Sequence, residues 1–266
     1  MRPTLVLFDI DGTLVDTAGA GRRGLAASFR TVFGVEDVDD VVARVPFGGR
    51  SDPAIISEIG REAGVPAAAI EARYAELQAA YLDALRQELA TANERRRVLP
   101  GVRPLLDRLA ARPDVFLGLV TGNIEEGARA KLDPFGLNPY FVDGGYSSDH
   151  PERPEIARIA HERFSRRAGF RFPPDRVMVI GDTELDVHCA RANGFFAIAV
   201  ESGWASRDDL TRAGPDALFA DLTETARVLD AMGLAEGRAD SATARASAAS
   251  SIERVRRPVF VFCRLG

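Results

Sequence analysis

The chain opens with a compact apolar run, "TLVLFDI" (4–10). Similar runs follow at "VFLGLVT" (115–121), "RVMVIGD" (176–182) and "FFAIAV" (195–200), with "ALFA" (217–220) as a short fifth. None alternates strictly between apolar and polar positions, which predicts parallel strands covered on both faces. Between the later runs, apolar positions recur at helical spacing: "GVRPLLDRLAAR" (101–112), "IEEGARAKL" (124–132), "PEIARIAHERFSRRA" (154–168) and "ELDVHCARAN" (184–193). Gly194 closes the last of these in the position favoured after a helix. Strand and helix in alternation predict an α/β domain on a parallel sheet.

One region breaks the alternation. From about residue 17 to 94 no strand is apparent, and "GRRGLAASFRTVFG", "DPAIISEIGREAG" and "PAAAIEARYAELQAAYLDALRQELATA" read as amphipathic helices. The expected organisation is a core of residues 1–16 and 95–234 with a helical module, 17–94, inserted after the first strand. An insert at that point lies above the crevice where open α/β sheets bind ligands. Residues 235–266 are Ala/Ser/Arg-rich before a short apolar end, the composition of a disordered tail.

Composition narrows the function classes. The formal charge is −5, but residues 235–266 carry +3, so the body is more acidic still. That argues against polymeric nucleic acid as partner and permits a cation held among carboxylates. No apolar run is long enough to span a membrane. Cys189 and Cys263 make no disulfide framework, and no Cys/His cluster suggests zinc. A reducing, cytoplasmic setting is expected, with the chain as monomer or homodimer. Lys131 is the only lysine; arginine supplies almost all the positive charge.

The candidate chemistry starts at "DIDGT", where Asp9 and Asp11 follow the first strand and point to the same side. An EF-hand loop starting at Asp9 would need glycine and glutamate where Leu14 and Ala20 stand. No phosphate-binding G-x-x-x-x-G-K loop occurs. A plain turn would account for the pentapeptide alone. Two other strand ends add partners: Asp182 and Asp186 in "GDTELD", and Thr121 in "LVTGN". In a parallel sheet these ends share one edge, gathering four carboxylates and a hydroxyl. Such a cluster repels itself; Mg²⁺, which prefers carboxylate, water and phosphate oxygens, relieves it. Asp9 then suits attack on phosphorus, and Asp11 suits proton transfer to the departing alkoxide and from the hydrolytic water.

"DIDGTLVDT", "VTGN" and "GDTELD", in this order and spacing, resemble the haloacid dehalogenase-like superfamily of phosphohydrolases over residues 1 to about 232. The resemblance implies a Rossmann-like core with an α-helical cap. It makes Asp9 the nucleophile and Asp11 the general acid/base. It gives Mg²⁺ the Asp182 carboxylate and the Asp11 backbone carbonyl, with Asp186 supporting the metal's waters. Thr121 and the backbone at Gly122 and Asn123 would hold phosphoryl oxygens. The family's Lys or Arg between the second and last motifs is assigned to Arg153, just before a proline that starts a helix.

Residue types then separate branches of that family. Asp11 favours phosphoryl transfer over dehalogenation, and the cap lacks the lysine of the phosphonatases. A phosphomutase of the β-phosphoglucomutase kind would carry cap histidine and lysine, whereas His150, His161 and His188 all lie outside the cap. A phosphatase of a small phosphorylated metabolite remains, most similar to phosphoglycolate phosphatases; the alternatives are that mutase or a non-catalytic binding protein on the same fold. In "PFGGRSDPAII" (46–56), Arg50 either meets a substrate carboxylate or is a surface arginine. Arg22 and Arg23 either face the site where the cap begins or are ordinary solvated arginines, the reading preferred; Trp204 either lines the pocket entrance or packs, and packing is preferred.

Overall fold

A computed structural model describes residues 2–235. The tail expected to be disordered, 235–266, lies outside them apart from Ala235. The elements run β1 (Thr4–Phe8), β2 (Val15–Asp16), α1 (Ala20–Phe33), α2 (Val38–Arg44), α3 (Asp52–Glu62), α4 (Ala67–Ala72), α5 (Tyr74–Ala90) and β3 (Arg97–Val98). They continue with α6 (Val102–Ala110), β4 (Val115–Val120), α7 (Glu125–Leu132), β5 (Gly144–Gly145), α8 (Arg153–Ala168) and β6 (Val177–Gly181). The last are α9 (Glu184–Ala192), β7 (Phe196–Val200), α10 (Arg207–Ala213), β8 (Ala217–Phe219) and α11 (Thr225–Ala231).

Six strands form one parallel sheet in the order β5-β4-β1-β6-β7-β8. Every residue of β1 and β6 is buried, as unbroken apolar runs require when helices cover both faces. One core cluster packs Phe8, Leu119 and Ile180 against α6 and α11; another, on the opposite face, packs Leu7 and Val179 against α8, through Phe164, and α9. The chain passes from β1 to β4 and β5 on one side, then crosses back to β6, β7 and β8 on the other, so the strand order reverses at β1. The crevice at such a reversal is where open α/β sheets place ligands.

The five helices α1–α5 lie between β2 and β3, which pair antiparallel, Val15 with Val98 and Asp16 with Arg97. This two-stranded ribbon is both exit from and return to the core. The helices gather around Leu25, Phe29, Ile56, Leu77, Tyr81 and Leu85, and Ile124 of the core joins the same cluster. The strands β2, β3 and β5 and the helices α10 and α11 escape the hydrophobic pattern because they are too short to show a period. The stretch 66–92, which reads as one helix, breaks at Arg73, whose φ of −118° is not helical. There its guanidinium turns back to the Val32 carbonyl and pairs with Glu76 at 2.7 Å. No helix among the described residues is long and apolar enough to cross a membrane.

Candidate active site

The site forms where β1, β4 and β6 end together. Phe8 is in register with Leu119 and Ile180, and the Asp9 N–H donates to the Ile180 carbonyl at 2.9 Å. Asp9, Thr121 and Asp182 therefore emerge side by side, all at most 4% exposed. Asp186 joins them from the first turn of α9, where Thr183 caps the helix and its hydroxyl donates to Asp186 Oδ2 at 2.7 Å. Asp9, Asp182 and Asp186 each offer a carboxylate oxygen within 4.8 Å of the others.

Backbone shape makes this crowding possible. Gly12 sits at φ +82°, and a side chain there would overlap the Asp182 carboxylate. Gly203, in the turn after β7, meets the same carboxylate from the other side. Asp182 is further held by the Trp204 N–H at 2.8 Å and the Thr13 hydroxyl at 3.1 Å.

Three buried carboxylates at this spacing strain one another electrostatically. Burial pushes Asp9 up to about 7; Arg153 opposes the rise, while Asp186 and Asp11 add to it. Burial, then Asp186 and Asp9, raise Asp182 well above the usual carboxylate range. The cation among them is Arg153, the first residue of α8, which bonds Asp186 Oδ1 and lies 3.5 Å from Asp9 Oδ1. Burial works against its charge, but Asp186 and Asp9 outweigh that and hold the guanidinium protonated. With all three carboxylates ionised, one guanidinium leaves two negative charges uncompensated. A divalent cation of the hard, oxygen-seeking kind fits that donor set.

Asp11 belongs to a different network. Its side chain is not in the three-carboxylate cluster: Oδ2 accepts from Lys131 Nζ at 2.6 Å and from Asn123 Nδ2 at 3.0 Å. Asn123 Nδ2 also donates to Thr121 Oγ1 at 2.8 Å, and its Oδ1 accepts from Lys131 at 2.6 Å. Thr121 Oγ1 accepts a second bond from the Asn123 N–H at 3.3 Å. As a double acceptor, that hydroxyl keeps its own O–H for another partner.

Lys131 is the residue that sequence reasoning missed. It lies on α7, between the second and last motifs, the same interval from which Arg153 is chosen. Its position there, as the chain's one lysine, was the available signal. Asp52 was missed too. It opens α3, donates its N–H to the Gly122 carbonyl at 2.7 Å and accepts from the Ile124 N–H at 2.9 Å. Burial pushes its carboxyl up to about 6 against the pull of Lys131.

The helices close a cavity of about 260 Å³ over these groups, lined among others by Asp9, Asp11, Arg22, Arg50, Lys131 and Trp204. Arg50 reaches the cavity wall, and its Nη1 contacts the Pro46 carbonyl at 3.4 Å. Gly49, at φ +67°, brings its loop against Thr183, and Gly122 leaves no room for a side chain beneath Arg50. Two expectations need correction. Arg22 is not a solvated arginine: it stacks 4.0 Å above the Phe47 ring, half-buried at the cavity wall. Trp204 is not packed inside: its N–H serves Asp182, which leaves the side chain 53% exposed at the rim. Arg23 does face outward, pairing with Glu88 at 2.8 Å.

Carboxylates gathered at strand ends under a helical insert are the features to set beside known proteins. The family model for haloacid dehalogenase-like hydrolases matches residues 3–194. The chain belongs to that family. It is 30% identical over 211 residues to the tyrosine-protein kinase PtkA of Mycobacterium tuberculosis, covering 77% of this chain but 65% of that one. It thus spans somewhat less than two thirds of the length of those kinases. It is 28% identical over 216 residues to the phosphoglycolate phosphatase of Synechococcus elongatus, covering 80% of this chain and 91% of that one. A crystal structure of a hydrolase from Pseudomonas syringae matches the fold with a TM-score of 0.64 at 20% identity, over 88% of this chain and all of that one.

Proposed function

We propose that this protein is a Mg²⁺-dependent phosphatase that hydrolyses a small phosphomonoester through an aspartyl-phosphate, in the manner of a phosphoglycolate phosphatase. The observation that carries the reading is the pair Asp9 and Asp11, held by separate networks at the floor of one cavity. Asp9 sits among carboxylates and Arg153; Asp11 sits on Lys131 and Asn123. A cavity of about 260 Å³ suits a small substrate, since drug-sized ligands fill roughly 300–1,000 Å³.

Asp9, Asp182 and Asp186 would hold the cation, with the Asp11 carbonyl. Bound there, it would neutralise the cluster and draw charge from the phosphoryl oxygens. Asp9 attacks phosphorus; its oxygen–phosphorus bond forms as the bond to the leaving oxygen breaks. Asp11 gives that oxygen its proton. Asp11 then takes a proton from water as the water attacks the phosphoryl group, releasing phosphate and restoring Asp9. Thr121 offers its hydroxyl to a phosphoryl oxygen, and Arg153 orients the nucleophile and offsets its charge. The helical insert excludes bulk water while the ester is bound.

The test is phosphate release from phosphoglycolate, sugar phosphates and nucleoside monophosphates, with Mg²⁺ and with chelator. Release that requires the metal and falls below a few per cent in a folded Asp9→Asn variant is expected. Release that persists in Asp9→Asn would reject the mechanism.

A further inference from the structure

Lys131 presents a second cation that the reaction above does not require. Its side chain is 7% exposed, under α1, at a point where α1 carries Gly21. A Cβ at Gly21 would stand 3.3 Å from Lys131 Nζ, so the missing side chain leaves the space through which the lysine reaches Asp11. At its other end the ammonium grips Asn123 Oδ1, and Asn123 in turn grips both Asp11 and Thr121. Both donors on Asp11 use Oδ2; among the described residues no hydrogen bond engages Oδ1. Asp11 is 26% exposed and lines the cavity, so its unengaged oxygen is the one open to a ligand.

We propose that Lys131 is a positioning residue that fixes the Asp11 carboxyl so that Oδ1 alone carries and delivers the proton to the leaving oxygen. This rests on the phosphatase reading. With Oδ2 occupied by two donors, a proton on the carboxyl resides on Oδ1, and rotation about χ2 would break two bonds, one of them charge-assisted. The step balances simply: the Asp9–phosphorus bond forms, the phosphorus–oxygen bond to the alcohol breaks, and the Oδ1 proton ends on the alcohol.

Proton delivery matters in proportion to the basicity of the leaving group. An alkoxide needs it; a nitrophenolate leaves without it. The experiment is single-turnover release of alcohol or phenol from phosphoglycolate and from p-nitrophenyl phosphate, by the wild-type chain and by Lys131→Met. The expected result is a loss of about tenfold or more on the alkyl ester beyond the loss on the aryl ester, within the range of a general-acid contribution. Equal loss on both esters would mean a structural role and overturn the proposal, as would no loss on either. If Lys131→Met does not fold, Lys131→Leu, which likewise offers no donor, carries the same expectation and the same refutation. A wild-type chain that cleaves neither ester, nor any other phosphomonoester, overturns the phosphatase reading itself.

Discussion

At the scale of single residues, the site is a problem of charge. Asp9, Asp182 and Asp186 converge in a space where burial, joined by the neighbouring carboxylates, raises the first two, and Arg153 compensates one carboxylate of the three. Asp182 sits deepest, fully buried, so removing its charge should be felt first in the cation. Asp182→Asn is expected to weaken the divalent-cation response by about tenfold or more, the scale on which changes around metal ligands act. The measurement is the rise in thermal midpoint on adding Mg²⁺. A rise equal to that of the wild type would show that Asp182 holds no cation. Asp9 and Asp11 differ by two positions, yet strand pleat and turn send one into the carboxylate cluster and the other onto Lys131 and Asn123.

At the scale of elements, the contact between helical insert and sheet is made by backbone as much as by side chains. The first turn of α3 docks on the loop after β4 through Asp52, which both donates to Gly122 and accepts from Ile124. Burial raises the Asp52 carboxyl from 3.8 to about 6. Between those values the folded chain keeps a proton that the unfolded chain has released. The stabilisation is therefore full below about pH 4 and is lost as pH rises through about 6, amounting to about 3 kcal/mol at most. Asp52→Asn keeps the acceptor for Ile124 but has no such dependence. In urea unfolding, the stability of the wild type relative to Asp52→Asn should fall between about pH 4 and pH 7. A difference independent of pH would show that Asp52 ionises freely in the folded chain. The elements themselves were partly legible: the five apolar runs are β1, β4, β6, β7 and β8, within two residues of their ends. The two-residue strands β2, β3 and β5 were not, because they are too short for a pattern and exist only through their partners.

At the scale of the molecule, every group placed in the site lies between Asp9 and Trp204, and the family match ends at residue 194. A chain ending after Ala235 is accordingly expected to keep the proposed phosphatase activity of the full chain within about twofold, a small effect on a barrier. Loss of more than tenfold would tie residues 236–266 to catalysis. The strand order explains why distant motifs meet. β1 lies between β4 and β6, so residues 9, 121 and 182 become neighbours although the chain separates them by more than a hundred and by sixty positions.

The amino-acid sequence by itself determined the parallel α/β sheet and the acidic strand ends. It did so because both depend on local pattern: apolar runs of strand length, and Asp, Gly and Thr at their C-terminal ends. It also predicted helices over 17–94, since helical periodicity is local too; α1–α5 run from Ala20 to Ala90 between β2 and β3. What the tertiary structure decided is which side chains face one another across the cavity. Lys131 is one helical position among many until α7 packs beneath Gly21 and points it at Asp11. Asp52, Arg22 and Trp204 acquire their places only when the inserted helices close onto the sheet edge. Direction and burial are set by packing between elements far apart in the chain, and no spacing of residues encodes them.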